Sequence, residues 1–245
     1  MNVSTNAIIL RTMNYLESSK IIYSYTREFG KQTLVAKGAR RTKSKFGASL
    51  ELGSIVELKY YKKSNKDLHN LTYSELIHKT YIERLSFTDK VFCLMLCESI
   101  FHLEKDDNPD EFLFDELMKL FDISCSNYIF TPAMFIYSQI ILANSIGHAI
   151  DLRWKNKDKV DYSDDNEVFL DISNCKIYND NDSKAERKIK FKISELKILK
   201  EIISRNLNIK VESIILNKFV SFFENYFTFH NESRFTYKSF NLIRD

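Results

Sequence analysis

Ile21-Ile22-Tyr23-Ser24-Tyr25-Thr26, then Arg27-Glu28-Phe29-Gly30-Lys31, then Gln32-Thr33-Leu34-Val35-Ala36, reads as two β-rich runs joined by a short turn. β-Branched and aromatic residues fill both runs, and Gly30 supplies the positive φ that a tight hairpin connection requires. Working outward, similar runs occupy residues 3–12, 19–26, 32–37, 55–61 and 70–75. Five short strands in so small a span predict a closed barrel, because closure removes the edges that short strands otherwise expose.

Beyond Ser86 the apolar period changes from 2 toward 3.6. Val91, Leu94, Met95, Ile100 and Leu103 share a helical face. Helices are expected over 111–122, opened by Pro109-Asp110, and over 131–146, with Pro132 in the first turn and Gly147 as the C-terminal cap. Ser194 reads as a helix N-cap, and an aromatic-rich helix follows over 209–229. The polar stretch 151–193 contains Val168-Phe169-Leu170-Asp171-Ile172 and Cys175-Lys176-Ile177-Tyr178, a candidate hairpin; 161–166 and 179–186 read as surface loop. The expected division is thus a barrel domain over 1–80 and a helical domain over 81–245 with an insert at 151–193.

Charge separates along the chain. Residues 1–80 carry 14 Lys/Arg against 6 Asp/Glu, or +8, and residues 81–245 carry 22 against 27, or −5, which together give the net +3. Such asymmetry points to a polyanion at one end only. It is concentrated in Lys37-Gly38-Ala39-Arg40-Arg41-Thr42-Lys43-Ser44-Lys45, five cations in nine residues with no acidic neighbour before Glu51. Phosphate binding rewards such clustering, since each neutralised phosphate releases counterions. Lys59, Lys62, Lys63 and Lys66 extend the positive surface or guard a sheet edge. Arg27 and Lys31 join the candidate set, which comprises Arg27, Lys31, Lys37, Arg40, Arg41, Lys43, Lys45, Lys62 and Lys63. Tyr23, Tyr25, Phe29, Tyr60 and Tyr61 are candidate stacking platforms for unpaired bases, although strand alternation assigns some of them to the core.

The rest of the chain offers little chemistry. No Cys-x-x-Cys occurs among the four cysteines, so Cys93, Cys97, Cys125 and Cys175 read as thiols, and neither a metal site nor a cofactor is expected. The five histidines have no nucleophile or metalloprotease motif around them, and no glycine-rich phosphate loop or dinucleotide fingerprint appears. The expected protein is a binder and not an enzyme. No window reaches the roughly 18 apolar residues of a membrane span, and the amino terminus lacks a signal pattern, so a cytoplasmic location and no membrane partner are expected. Phe219, Phe222, Phe223, Tyr226, Phe227 and Phe229 read mostly as core; any exposed remainder beside Lys210 and Lys218 would suit an amphipathic or acidic peptide tail.

Ala7-Ile8-Ile9-Leu10-Arg11, Tyr15-x-Glu17-Ser18-Ser19-Lys20-Ile21, Tyr25-Thr26-Arg27-Glu28-x-Gly30-Lys31 and Ala36-Lys37-Gly38-Ala39-Arg40-Arg41 together resemble the start of the bacterial recombination mediator family RecO. Leu50, Glu57-Leu58, Glu75-Leu76, Gly147 and Lys238-Ser239 agree more loosely. The resemblance implies an α+β protein: an amino-terminal five-stranded OB-fold β-barrel, then a mainly α-helical domain with a small β-hairpin insert. It implies binding of single- and double-stranded DNA, strand annealing, and loading of the RecA recombinase onto strands coated with single-strand-binding protein. The implied partners are RecR, the coating protein's C-terminal tail and, indirectly, the RecA nucleoprotein filament, in the cytoplasm with the nucleoid. Many members carry a four-cysteine zinc site after the long helix, whereas residues 151–179 here hold only Cys175, so this chain is expected to lack the metal. An RNA-binding barrel protein, and an interaction adaptor with no affinity for nucleic acid, remain the alternatives from the residues themselves.

Overall fold

The computed structural model describes residues 1–63, 66–77, 84–150, 152–154, 164–178 and 187–244. They fall into two compact units, residues 1–130 with 238–245, and residues 131–237. The boundary expected near residue 80 marks the end of the barrel inside the first unit.

In that unit five strands, β1 (Asn2–Tyr15), β2 (Ser19–Thr26), β3 (Gly30–Ala36), β4 (Ile55–Tyr61) and β5 (Leu68–Leu76), close in the order β1-β2-β3-β5-β4. The β1-β4 pairing completes the ring, and β3 meets β5 in parallel. This is the OB-fold topology expected from the sequence. Val3, Ala7, Ile9, Ile22, Leu34, Val56, Leu58 and Tyr60 fill the interior. Ile8 and Leu10 are equally buried on the opposite face of β1, because helix α1 (Phe87–Leu103) covers the outside of β1 and β2. That cover explains why the middle of β1 reads as a continuous apolar run instead of an alternating one.

Gly30 takes φ +63 at the β2-β3 turn, as the hairpin requires. Strand β1 continues three residues past the expected end at Thr12, through the pairs Asn14-Lys20 and Tyr15-Ser19. Ser86 caps α1 by accepting from the Asp89 N–H at 3.1 Å, and Asp110 caps α2 (Glu111–Asn127) through the Leu113 N–H at 2.8 Å. α2 outlasts its expected end at Asp122 and stops where Tyr128 adopts the left-handed conformation, φ 53.

The second unit holds α3 (Pro132–Ser145), capped by Thr131, with α4 (Ile193–Ile203) and α5 (Ser213–His230) packed on it. The expected hairpin is present as β7 (Glu167–Asp171) with β8 (Lys176–Tyr178), but it belongs to a four-stranded sheet ordered β6-β8-β7-β9, with β6 at Arg153–Trp154 and β9 at Lys188–Lys192. Ser194 is not the N-cap of α4. The strand β9 runs directly into the helix at Lys192, whose backbone N–H is taken by Glu195 at 2.8 Å, so the carboxylate three residues on does the capping. Of the expected surface loops, 161–163 and 179–186 lie outside the described residues. Asp164 and Asp165 are described and pair with Lys197 at 2.5 Å and Lys192 at 3.2 Å.

Candidate nucleic-acid interface

The basic segment leaves the barrel at the end of β3 and is held in place along its length. Turn hydrogen bonds run from Ala39 N to Ala36 O at 3.4 Å and from Arg41 N to Gly38 O at 3.1 Å, with Gly38 at φ +75. Arg40 ties the segment to the β1-β2 turn twice: its backbone N–H donates to Ser18 O at 3.0 Å and its Nη1 to Leu16 O at 3.1 Å. At the far end Phe46 and Leu50 insert into the barrel core, and Ser49 Oγ donates to Phe46 O at 2.6 Å. Anchored at both ends, the segment presents its cations outward.

Lys37, Arg40, Arg41, Lys43 and Lys45 are all exposed, and none forms an ion pair with a carboxylate among the described residues. Lys45 Nζ donates to Thr72 O at 2.6 Å and lies 5.1 Å from the Phe46 ring centroid, which fixes its position without neutralising it. The other candidates differ. Arg27 donates to Asp115 from Nε at 2.8 Å and Nη2 at 2.9 Å, and its Nη1 lies 2.8 Å from Glu111. Lys31 points inward: Nζ donates to Phe101 O at 2.9 Å and Glu104 O at 2.8 Å, at the end of α1. Lys62 pairs with Asp107 at 2.6 Å and sits over the Phe29 ring. The hydrogen bonds from Lys62 and Gln32 hold the Asp107 carboxyl below its usual range. Lys63 is half-buried, and its backbone N–H donates to His69 Nδ1 at 3.1 Å.

Of the five aromatic candidates, Tyr25 and Tyr60 are buried, Tyr25 against Phe114 outside the barrel and Tyr60 in its interior. Burial pushes both phenols up. Tyr23 meets Phe101 edge-on at 5.2 Å, and Phe29 meets Tyr60 at 6.3 Å. Tyr61 is exposed. On the barrel strands, Tyr15 and Tyr73 are exposed rings as well, with Lys59 over the latter at 4.8 Å. Tyr15 was hidden by ending β1 too early. It lines an open pocket of about 320 Å³ together with Leu16, Val35, Lys37, Gly38 and Arg41.

In the second unit Phe219, Phe222, Phe223, Tyr226 and Phe227 are core, and the partly exposed Phe229 lies under Arg187 at 5.3 Å. Lys218 is held by Glu195 at 2.6 and 2.8 Å. A four-thiolate metal site does not fit this chain: Cys175 is the one cysteine of 151–179, and it is buried beside Tyr226.

Residues 1–80 match the family model described as Recombination protein O N terminal. The barrel is thus similar to the amino-terminal part of RecO proteins. Curated proteins are similar as well, among them the DNA repair protein RecO of Pelodictyon phaeoclathratiforme, 38% identical over 96 residues, 37% of each chain. The DNA repair protein RecO of Chloroherpeton thalassium is 32% identical over 154 residues, 61% of this chain and 58% of that one. That of Salinibacter ruber is 33% identical over 107 residues, 44% and 41% of the two chains. This chain therefore spans between 37% and 58% of the length of these RecO relatives.

Proposed function

We propose that the chain is a mediator of DNA repair and homologous recombination that grips the phosphates of single and double strands and anneals complementary ones. In this reading it also hands strands coated with single-strand-binding protein to the RecA recombinase together with RecR. The observation that carries the reading is the segment 37–45, whose exposed cations have no carboxylate partner among the described residues. Such a surface gains free energy by releasing counterions from any phosphate chain, and it leaves the base edges unread. That suits a protein that must let complementary strands find each other. The relatives named DNA repair proteins support the same assignment. The work is binding and handover, with no bond made or broken.

The test is affinity for single-stranded DNA across a salt series, for the wild type and for the triple variant Lys37→Ala/Arg41→Ala/Lys43→Ala. These three leave the Arg40 clamp intact. Loss of three phosphate contacts reduces the magnitude of the log-log salt slope by about 2 on single strands. An unchanged slope overturns the assigned surface. A strand-annealing assay with and without single-strand-binding protein then checks the mediator role. Preference for matched RNA over DNA in competition would point instead to an RNA-binding barrel, and peptide-tail binding without nucleic-acid affinity to an adaptor.

A further inference from the structure

The pocket between the β1-β2 turn and the basic segment has two unlike walls. One wall is the ring of Tyr15, 37% exposed, with Leu16 beside it at φ 51 and 73% exposed. The other is Lys37, Gly38 and Arg41, and buried Val35 adds an apolar patch. The Cδ of Arg41 is 3.6 Å from where a Cβ on Gly38 would stand, so the stem of the side chain lies beside the glycine. Arg40 binds the two walls together through Leu16 O and Ser18 O. The result is a preformed cleft of about 320 Å³, near the lower end of the range of roughly 300–1,000 Å³ for small-ligand sites.

An aromatic face, an apolar patch and two cations with no carboxylate partner among the described residues match the parts of one nucleotide: a flat π-system joined to an anionic phosphate. Resting on the DNA-binding reading above, we propose that this cleft seats a single unpaired nucleotide of a DNA strand, its base stacked on Tyr15 and its phosphate on Lys37 and Arg41. A base inside a duplex has both faces covered by its neighbours and cannot enter. Lys37 and Arg41 then serve any phosphate chain, whereas Tyr15 serves single strands alone. The seat adds a single-strand preference to a surface whose cations have none.

Two fluorescein-labelled probes, a homothymidine oligonucleotide and a mixed-sequence duplex, are titrated by anisotropy with the wild type, Tyr15→Ala and Tyr15→Phe. Stacking on one ring predicts that Tyr15→Ala loses at least about fivefold in single-strand affinity and that Tyr15→Phe keeps it, since the ring and not the hydroxyl is used. Duplex affinity stays unchanged in both. A strand carrying 2-aminopurine reports the same event independently, as quenching by wild type that Tyr15→Ala abolishes. Unchanged single-strand affinity, or equal losses on both probes, overturns the seat while leaving the phosphate-binding surface standing. A wild type that binds neither probe at low salt overturns that surface as well. Inorganic phosphate that competes as well as thymidine monophosphate would show an anion site without a base seat, and would also overturn the proposal.

Discussion

Arg27 and Asp115 meet fork to fork, Nε to Oδ1 at 2.8 Å and Nη2 to Oδ2 at 2.9 Å, across 88 residues of sequence, so the guanidinium joins the β2-β3 turn to α2. Its charge is matched further by Glu111 at 2.8 Å and Glu28 at 3.9 Å. A cation surrounded by three carboxylates has little left for a phosphate. The Arg27 hydrogen bond holds the Asp115 carboxyl below its usual range. Because the folded value lies under the unfolded value of about 3.9, the stabilisation is complete above that pH and is lost as pH falls through the folded value. Arg27→Ala is expected to lower the melting temperature slightly and leave the salt slope of DNA binding unchanged. In melts from neutral to acid pH, Asp115→Asn should flatten the acid limb. Both side chains are partly exposed, so added salt should shrink these effects.

Lys31 has a structural task of the same kind. Its ammonium accounts for the carbonyls of Phe101 and Glu104 at the end of α1, where helix geometry leaves acceptors without partners, and its charge suits the negative end of the helix dipole. The side chain is only 14% exposed. Lys31→Met keeps the stem and removes the donor, and should cost about 1–3 kcal/mol in urea unfolding. DNA affinity should not change. A loss of affinity with stability intact would return Lys31 to the interface.

The contrast between these residues and the segment 37–45 shows what a sequence reveals about a site. The barrel strands were legible because period-2 alternation and the Gly30 turn are local properties. The basic segment was legible because no acid lies near it in sequence, and among the described residues none pairs with it in space either. Arg27, Lys31 and Lys62 look the same in sequence, yet their partners stand 88, 70 and 45 residues away. Only folding brings Asp115, the end of α1 and Asp107 to them. Tyr15 was missed for the opposite reason: Met13, Asn14 and Tyr15 are all exposed, so no buried face marks the strand there, and it is the pairing with β2 that extends it. Ser194 misled because a serine before an apolar run has the chemistry of a cap, while Glu195 reached the free N–H first.

Gly30 carries two constraints at once. Its φ of +63 is costly for any residue with a Cβ, and a Cβ there would collide with the backbone of Asn108, the N atom at 2.8 Å and the carbonyl closer still. Backbone cannot step aside as a flexible side chain can. Beside it Lys31 O accepts from Asp107 N at 3.2 Å, so the turn and the segment after α1 are stitched together. Gly30→Ala should therefore cost more than the roughly 1–2 kcal/mol of the left-handed conformation alone. Gly47, at φ +53 with open space around its Cβ position, provides the control: Gly47→Ala should show the conformational cost without the collision. Equal losses in urea titrations of the two variants would remove the Asn108 contact from the account.

The four cysteines give a prediction about reactivity. Cys93 and Cys97 stand four residues apart on α1, both at most 2% exposed, with Cys97 Sγ 3.8 Å from Ile9 O on the barrel. Burial pushes the Cys97 thiol up to about 12 and raises that of Cys93 as well. Cys125 on α2 is only partly buried and is pushed up to about 11, mainly by desolvation. Thiolate is the reacting species, so none of these should modify quickly near pH 8 in the folded protein. Ellman's reagent should find Cys125 first and slowly, and all four thiols only in denaturant. Because Cys97 lies between α1 and the barrel, its modification reports the separation of those two elements. If urea at concentrations that leave the barrel's circular dichroism intact already exposed Cys97, α1 would be an independently opening cover and not part of the barrel's own cooperative unit.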